Sequence, residues 1–219
     1  MSTISGPSPD PLRRVAGFRT LPIAAPRVRR VTQLVLGLVL FGVGGAFGIE
    51  AALGVSPWTV FHQGVALRIG VSIGTVVVVV GLILALLFRP LAEPIGLGTL
   101  LNALIIGPAI DVTMWLIPDI TNLPVRILLL VAGPAVIGLG SGFYIGAGLG
   151  PGPRDGLMTA LTRRGLTVWT ARTGIELTAL FVGWLLGGNV GLGTVWAALS
   201  VGWFVGFFLP RLSIDEAAS

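Results

Sequence analysis

The sequence predicts an all-α membrane protein of about six transmembrane helices. The helices are expected to form two inverted three-helix repeats, each with a short broken or re-entrant helix after its first span. Three observations lead there. The chain is 54% hydrophobic and only 11% charged, with a mean hydropathy of +0.96, too few charges to build a wetted surface. Apolar runs of roughly 20 residues, enough to cross ~30 Å of hydrocarbon, recur along nearly all of the chain after residue 30. Finally, Gly- and Pro-rich motifs of the first half return in the second at a nearly constant offset.

Residues 1–30 carry Pro7, Pro9, Pro11, Pro22 and Pro26 among Ser, Gly and six Arg. Such a stretch is expected to stay a disordered cytoplasmic tail, because Pro removes donors and little apolar surface is available to bury. Spans are expected at 31–53, 72–88, 97–117, 125–149, 168–186 and 192–209. They give a first repeat over 31–118, a second over 123–210, and a cytoplasmic tail over 211–219. With the N-terminus inside, twelve of the fourteen Arg fall on the inner side and only Arg68 and Arg126 outside. That asymmetry predicts cytoplasmic N- and C-termini in a bacterial inner membrane.

Two segments, 56–69 and 152–164, are too short to span. Gly54 and Pro57 interrupt the entry to the first, and Gly150, Pro151, Gly152 and Pro153 the entry to the second. Each is expected to begin with non-helical backbone and continue as a short helix, either dipping into the membrane or lying flat on its surface.

The repeat appears at an offset of 96, which pairs Gly37 with Gly133, Phe47 with Phe143, Gly54 with Gly150, Pro57 with Pro153 and Arg68 with Arg164. After a one-residue deletion the offset is 95. It then pairs Thr75 with Thr170, Gly96-Leu-Gly-Thr99 with Gly191-Leu-Gly-Thr194, and Gly107 with Gly202. An odd number of crossings per half inverts the second half relative to the first, an arrangement common among transporters.

Ionisable groups within spans are rare and often functional. Glu176, with Arg172 one turn earlier, offers an i,i+4 ion pair. Asp111 and the neighbouring Asn102 lie in the third span and Glu50 lies near the outer end of the first. The repeat pairs these acids with Gly81, Gly206 and Gly146, respectively. Arg154 and Asp155 follow the Gly150–Pro153 break, where Asp155 is expected to cap a helix start. These seven residues and the two breaks are the candidate solute- or ion-binding positions. His62, the only histidine, is expected to pack beside Trp58 at the interface.

No catalytic residue, metal site or cofactor is expected. Cysteine is absent, removing thiolate nucleophiles and Cys-based metal sites, and a lone His has no carboxylates placed to complete a site. Gly138-Leu-Gly-Ser-Gly142 lacks the third glycine of a dinucleotide loop, and no paired intramembrane Asp suggests an aspartyl protease. Nucleic acid is not an expected partner, since the Arg residues mostly flank apolar runs. The expected partners are the lipid bilayer and an unknown small solute, with a homo-oligomer or a cytoplasmic protein as further options.

Gly54-Val-Ser-Pro-Trp58, Gly96-Leu-Gly-Thr-Leu-Leu-Asn102, Gly148-Leu-Gly-Pro-Gly-Pro-Arg-Asp-Gly-Leu157 and Arg172-Thr-Gly-Ile-Glu176 resemble the bacterial YczE/YitT-type integral membrane proteins over about residues 31–210. The resemblance implies a multi-pass inner-membrane protein and supplies no catalytic residues. With about ten residues after Leu209, a soluble C-terminal domain such as the YitT branch carries is not expected. Two functions fit at this level: a small-molecule transporter or substrate-binding membrane component with its site between the halves, and a non-transporting scaffold that recruits a cytoplasmic partner.

Overall fold

A computed structural model describes residues 27–214. The described residues form eight helices: α1 (Arg27–Ala51), α2 (Pro57–Ile69), α3 (Ile73–Leu91), α4 (Leu97–Leu116), α5 (Leu123–Gly146), α6 (Pro153–Arg163), α7 (Val168–Leu185) and α8 (Leu192–Leu212). No strand occurs among them. Five of these helices, α1, α3, α4, α5 and α8, are long and apolar enough to cross a membrane. The sixth expected span, α7, has 18 residues but falls outside that group, carrying Arg172 and Glu176 within its first three turns.

The expected tail over 1–30 lies outside the described residues except for its end, where the expectation is corrected: 27–30 are already helical. Arg30 is 3% exposed, so it packs against protein rather than reaching for headgroups. At the other end α8 continues to Leu212, absorbing the first residues of the expected tail, and 215–219 lie outside the described residues.

Side-chain clamps on helix ends fix which ends lie together. Gln33 donates to the carbonyls of Phe143 (3.2 Å) and Leu212 (2.7 Å), gathering the start of α1 with the ends of α5 and α8. At the opposite end Arg126 donates to the Ala51 and Ala52 carbonyls at 2.7 and 2.9 Å, and Gly193 N–H donates to Leu53 O at 2.9 Å. The end of α1 therefore meets the starts of α5 and α8, and α1 runs antiparallel to both. Arg68 at the end of α2 donates to Leu186 O (3.2 Å) after α7. Arg163 at the end of α6 donates to Leu91 O and Ala92 O at 3.1 and 2.8 Å after α3. The repeat pairs Arg68 with Arg164, whereas the side chain that makes the corresponding clamp is Arg163.

Helix ends leave carbonyls without intrahelical partners, and a guanidinium satisfies two at once. Arg163 also pairs with Glu93 at 2.7 Å. Burial raises the Glu93 carboxyl pKa, and the Arg163 and Arg164 guanidinium groups oppose that rise.

The core is the α1–α5 pair. A Cβ on Gly37 would lie 2.5 Å from Tyr144 N, and one on Gly140 would lie 2.6 Å from Gly37 O. The same holds a turn or two further along, where a Cβ on Gly44 would sit 2.7 Å from Gly133 O. Without a hydrophobic drive between helices in lipid, such close backbone approach supplies the dispersion energy that holds spans together. Leu34, Leu38, Ala46, Ile106, Tyr144 and Ala147 fill the space around the crossing. Helix α4 then packs on α1, and α8 packs on α5.

Two outcomes follow. Gly140→Val forces α1 and α5 apart and is expected to cost about 1–3 kcal/mol or more by overpacking, whereas Gly48→Ala, with open space around it, leaves the midpoint of thermal unfolding in detergent nearly unchanged. Arg163→Ala strips Glu93 of its counter-charge. A carboxyl whose folded pKa lies above its unfolded value loses stability as pH rises between the two. The variant's deficit relative to wild type is therefore expected to be larger at pH 8 than at pH 5, as read by the same unfolding measurement.

Candidate functional site

The two Gly/Pro breaks adopt backbone that only glycine takes cheaply: φ is +103° at Gly54 and +120° at Gly150. Each break is stitched to the start of a helix from the other half. Gly98 N–H donates to Leu149 O at 2.8 Å, and Gly193 N–H donates to Leu53 O at 2.9 Å. Within each partnering Gly-Leu-Gly-Thr block the threonine hydroxyl accepts from the first glycine, Gly96 to Thr99 and Gly191 to Thr194, both at 3.2 Å. Thr99 Oγ1 donates onward to Pro151 O at 2.7 Å. Pro57 and Pro153 open α2 and α6, where a missing N–H costs nothing.

From these breaks α2 and α6 send side chains toward one centre. The Arg154 guanidinium carbon lies 5.3 Å from the Trp58 ring centroid and 5.5 Å from that of Phe41, a residue near the middle of α1. Trp58 and Arg154 are themselves 96 positions apart. Beside them lies a small cavity lined by Trp58, His62, Val77, Val80, Asn102 and Arg154, among others. His62 is 5% exposed and Asn102 is 7% exposed. His62 thus stacks near Trp58 as expected, with ring centroids 5.9 Å apart, but inside the bundle rather than at its rim.

The candidate residues separate into a central group and a peripheral one. Arg154, Asp155 and Asn102 belong to the centre. Asp155 lies in the first turn of α6 with its carboxylate beside the backbone of the Gly152 N-cap. That carboxylate also accepts a 2.8 Å hydrogen bond from the Tyr144 hydroxyl. Arg172 and Glu176 form the anticipated ion pair at 3.0 Å, half exposed at the arginine and partly buried at the glutamate. They lie on α7 within electrostatic range of Asp155 and Arg154.

Asp111 is peripheral. Far from grouping with Asn102, it sits in the last turns of α4 and spends both oxygens on the start of α3, accepting from Ser72 Oγ at 2.6 Å and from Gly74 N–H at 2.8 Å. Glu50 occupies the last turn of α1, partly exposed.

The last feature is a difference between two corresponding seams. Helices α3 and α4 pack closely, and a Cβ on Gly107 would run into the Gly74 carbonyl. The corresponding pair, α7 and α8, has no extensive packing. Gly202 and Gly206, the counterparts of Gly107 and Asp111 at an offset of 95, have nothing within 4 Å of where a Cβ would stand. Yet the helix starts match: Ser72 accepts from Thr75 N–H, and Thr167 accepts from Thr170 N–H, both at 3.1 Å. The closed seam lies at the α1 C-terminal end of the bundle and the open one at the α1 N-terminal end.

Several participants were not singled out from sequence. Tyr144 is the chain's only tyrosine, a signal available in an otherwise apolar span. Phe41 joins Trp58 in flanking the central guanidinium, and Phe88, fully buried, fills the space that a side chain at Gly156 would need. That contact joins α3 to α6 and explains the second glycine of Gly-Pro-Arg-Asp-Gly.

Comparison with known proteins points to a membrane protein family. A model of a family of unknown function, DUF6198, matches residues 28–210. The uncharacterized membrane protein YczE of Bacillus subtilis is 36% identical over 190 residues, covering 84% of this chain and 87% of that protein. An uncharacterized protein of Haemophilus influenzae is 36% identical over 182 residues, covering 83% and 84%. The uncharacterized protein YyaS of Bacillus subtilis is 27% identical over 185 residues, covering 80% and 90%. No solved structure matches the chain. With the family model spanning nearly every described residue, this multi-helix chain belongs to the DUF6198 family and is a YczE-like membrane protein.

Proposed function

We propose that the protein is a small-molecule transporter of the bacterial inner membrane, with its solute site at Arg154, Asn102, His62 and Trp58 between two inverted repeats. In this reading α7 is the sixth crossing. Its 18 residues rise ~27 Å, and its two ends join opposite ends of the bundle. α2 and α6 dip from opposite faces, since Arg154 reaches the level of Phe41 in mid-α1. Irregular backbone at that depth is tolerated only where protein covers it or a wet cavity receives it, and the reciprocal hydrogen bonds at Gly54 and Gly150 supply the cover. The Arg distribution supports cytoplasmic termini.

The observation that carries the reading is the inequality of the two seams. Inverted repeats that hold different conformations at one moment can exchange them, opening a central site to one side and then to the other. Here the outer seam is shut by Gly74 against Gly107 and latched by Asp111. The inner seam is open along Gly202 and Gly206, with the partly exposed Arg172–Glu176 pair on the facing helix. Closing α7 onto α8 while releasing α3 from α4 converts one arrangement into the other.

The absence of cysteine makes the exchange measurable. In right-side-out and inverted vesicles, a membrane-impermeant maleimide is expected to label Val80→Cys chiefly from the cytoplasmic face. Adding Asp111→Ala, which removes the latch, is expected to raise labelling from the outer face several-fold. Adding Gly202→Phe places a ring in open space and blocks the inner seam. It is expected to leave unfolding midpoints near wild type and to abolish outer labelling. Equal labelling from both faces, indifferent to both substitutions, sinks the exchange; termini found on opposite faces of the membrane sink the topology.

A further inference from the structure

We propose that the central cavity binds a small monovalent anion of about the size of a halide, nitrate or formate; this rests on the solute-site reading above and names its substrate class. Three polar side chains from three helices line one space: Arg154 from α6, Asn102 from α4 and His62 from α2. None of the hydrogen bonds among the described residues involves any of their side chains, although two of the three are more than nine-tenths buried.

A guanidinium presents five N–H donors and no acceptor, whereas an amide presents two donors and a carbonyl acceptor and a neutral imidazole one donor and one acceptor. Donors therefore outnumber acceptors, and the charge is positive. Burying donors without partners costs stability, more so when they are charged. A site built this way is completed by a ligand that accepts hydrogen bonds and carries negative charge. The rings of Trp58 and Phe41 hold the guanidinium by cation–π attraction and contribute no acceptor in the plane of its N–H groups.

The neighbouring carboxylate does not take that role. Asp155 accepts from Tyr144, and the ion pairs within 4.0 Å among the described residues are Arg163–Glu93 and Arg172–Glu176. A cation would meet Arg154 head on. A neutral polyol could use the Asn102 carbonyl and one His62 nitrogen as acceptors but would leave the Arg154 charge uncompensated, with Val77, Val80, Leu84 and Ala103 forming the remaining wall.

Size sets the second half of the assignment. The centre of a water-sized sphere has about 20 Å³ in which to move, so the space takes a body somewhat larger than one water, of a few heavy atoms, and nothing as large as a sugar. With a single guanidinium supplying the positive charge, a monovalent ion fits better than a divalent one.

The test uses purified full-length protein in detergent and in liposomes. Thermal unfolding is followed while sodium gluconate is replaced by chloride, nitrate or formate at constant ionic strength, since gluconate is too large for the space. The small anions are expected to raise the midpoint in a saturable manner. Arg154→Gln is expected to weaken the apparent affinity by about tenfold or more, Asn102→Ala by less, and Arg154→Lys to retain part of it. Should Arg154→Gln fail to fold, Asn102→Ala and Arg154→Lys carry the comparison. Equal midpoints in gluconate and in every small anion overturn the assignment, as does a midpoint rise that Asn102→Ala and Arg154→Lys leave unaltered.

Flux is measured separately with radiolabelled chloride and formate in liposomes. Saturable binding without flux keeps the anion site and removes the transport reading. Flux of a cation or a neutral solute, insensitive to small anions, keeps transport and removes the anion.

Discussion

In hydrocarbon an unpaired backbone carbonyl has no water to turn to, so every interruption of a helix in this bundle must find its partner within the protein. The chain interrupts itself at Gly54 and at Gly150 and turns five more times between the described helices. The solutions are consistent. Backbone amides of Gly98 and Gly193 reach the carbonyls of Leu149 and Leu53, and Arg68, Arg126 and Arg163 draw helix-end carbonyls onto guanidinium donors. Remove these pairings and the short helices have no reason to hold their starts near the core, nor Arg154 to sit level with the middle of α1.

That requirement explains a division among the arginines. Arg68, Arg126 and Arg163 are spent on structure, holding helix-end carbonyls, and Arg172 holds an adjacent acid. Arg154 alone combines a central position with aromatic neighbours and a cavity. Its setting follows from a close-packed α1–α5 crossing at Gly37, Gly44, Gly133 and Gly140, which leaves no room for a wide aqueous vestibule there. Whatever occupies the centre must be small, or the bundle must move to admit it.

Much of the fold was legible in the sequence because it is written in local pattern. Apolar run length located the helices to within a few residues, and the Gly-Leu-Gly-Thr blocks marked two matching positions that prove to be helix starts. Positions of Gly and Pro marked both breaks. The site was legible only in part, because its assignments depend on partners remote in the chain. Asp111 reads as an isolated intramembrane acid until Ser72 and Gly74 arrive to claim both its oxygens. Asp155 reads as a helix cap alone until Tyr144 binds it as well. His62 reads as interfacial until α3 and α4 close around it. In each case the residue type was informative and its duty was set by what the tertiary fold brought alongside.

The meeting of Trp58 with Arg154 has an evolutionary consequence. Positions 96 apart face one another at the centre, so a bundle assembled from two identical halves would juxtapose two indoles or two guanidinium groups there. The first pairing offers no charge, and the second sets two cations against each other in a medium of low dielectric constant. On the proposed inverted-repeat reading, the centre depends on divergence between the two halves, one supplying the aromatic platform and the other the cation that rests on it.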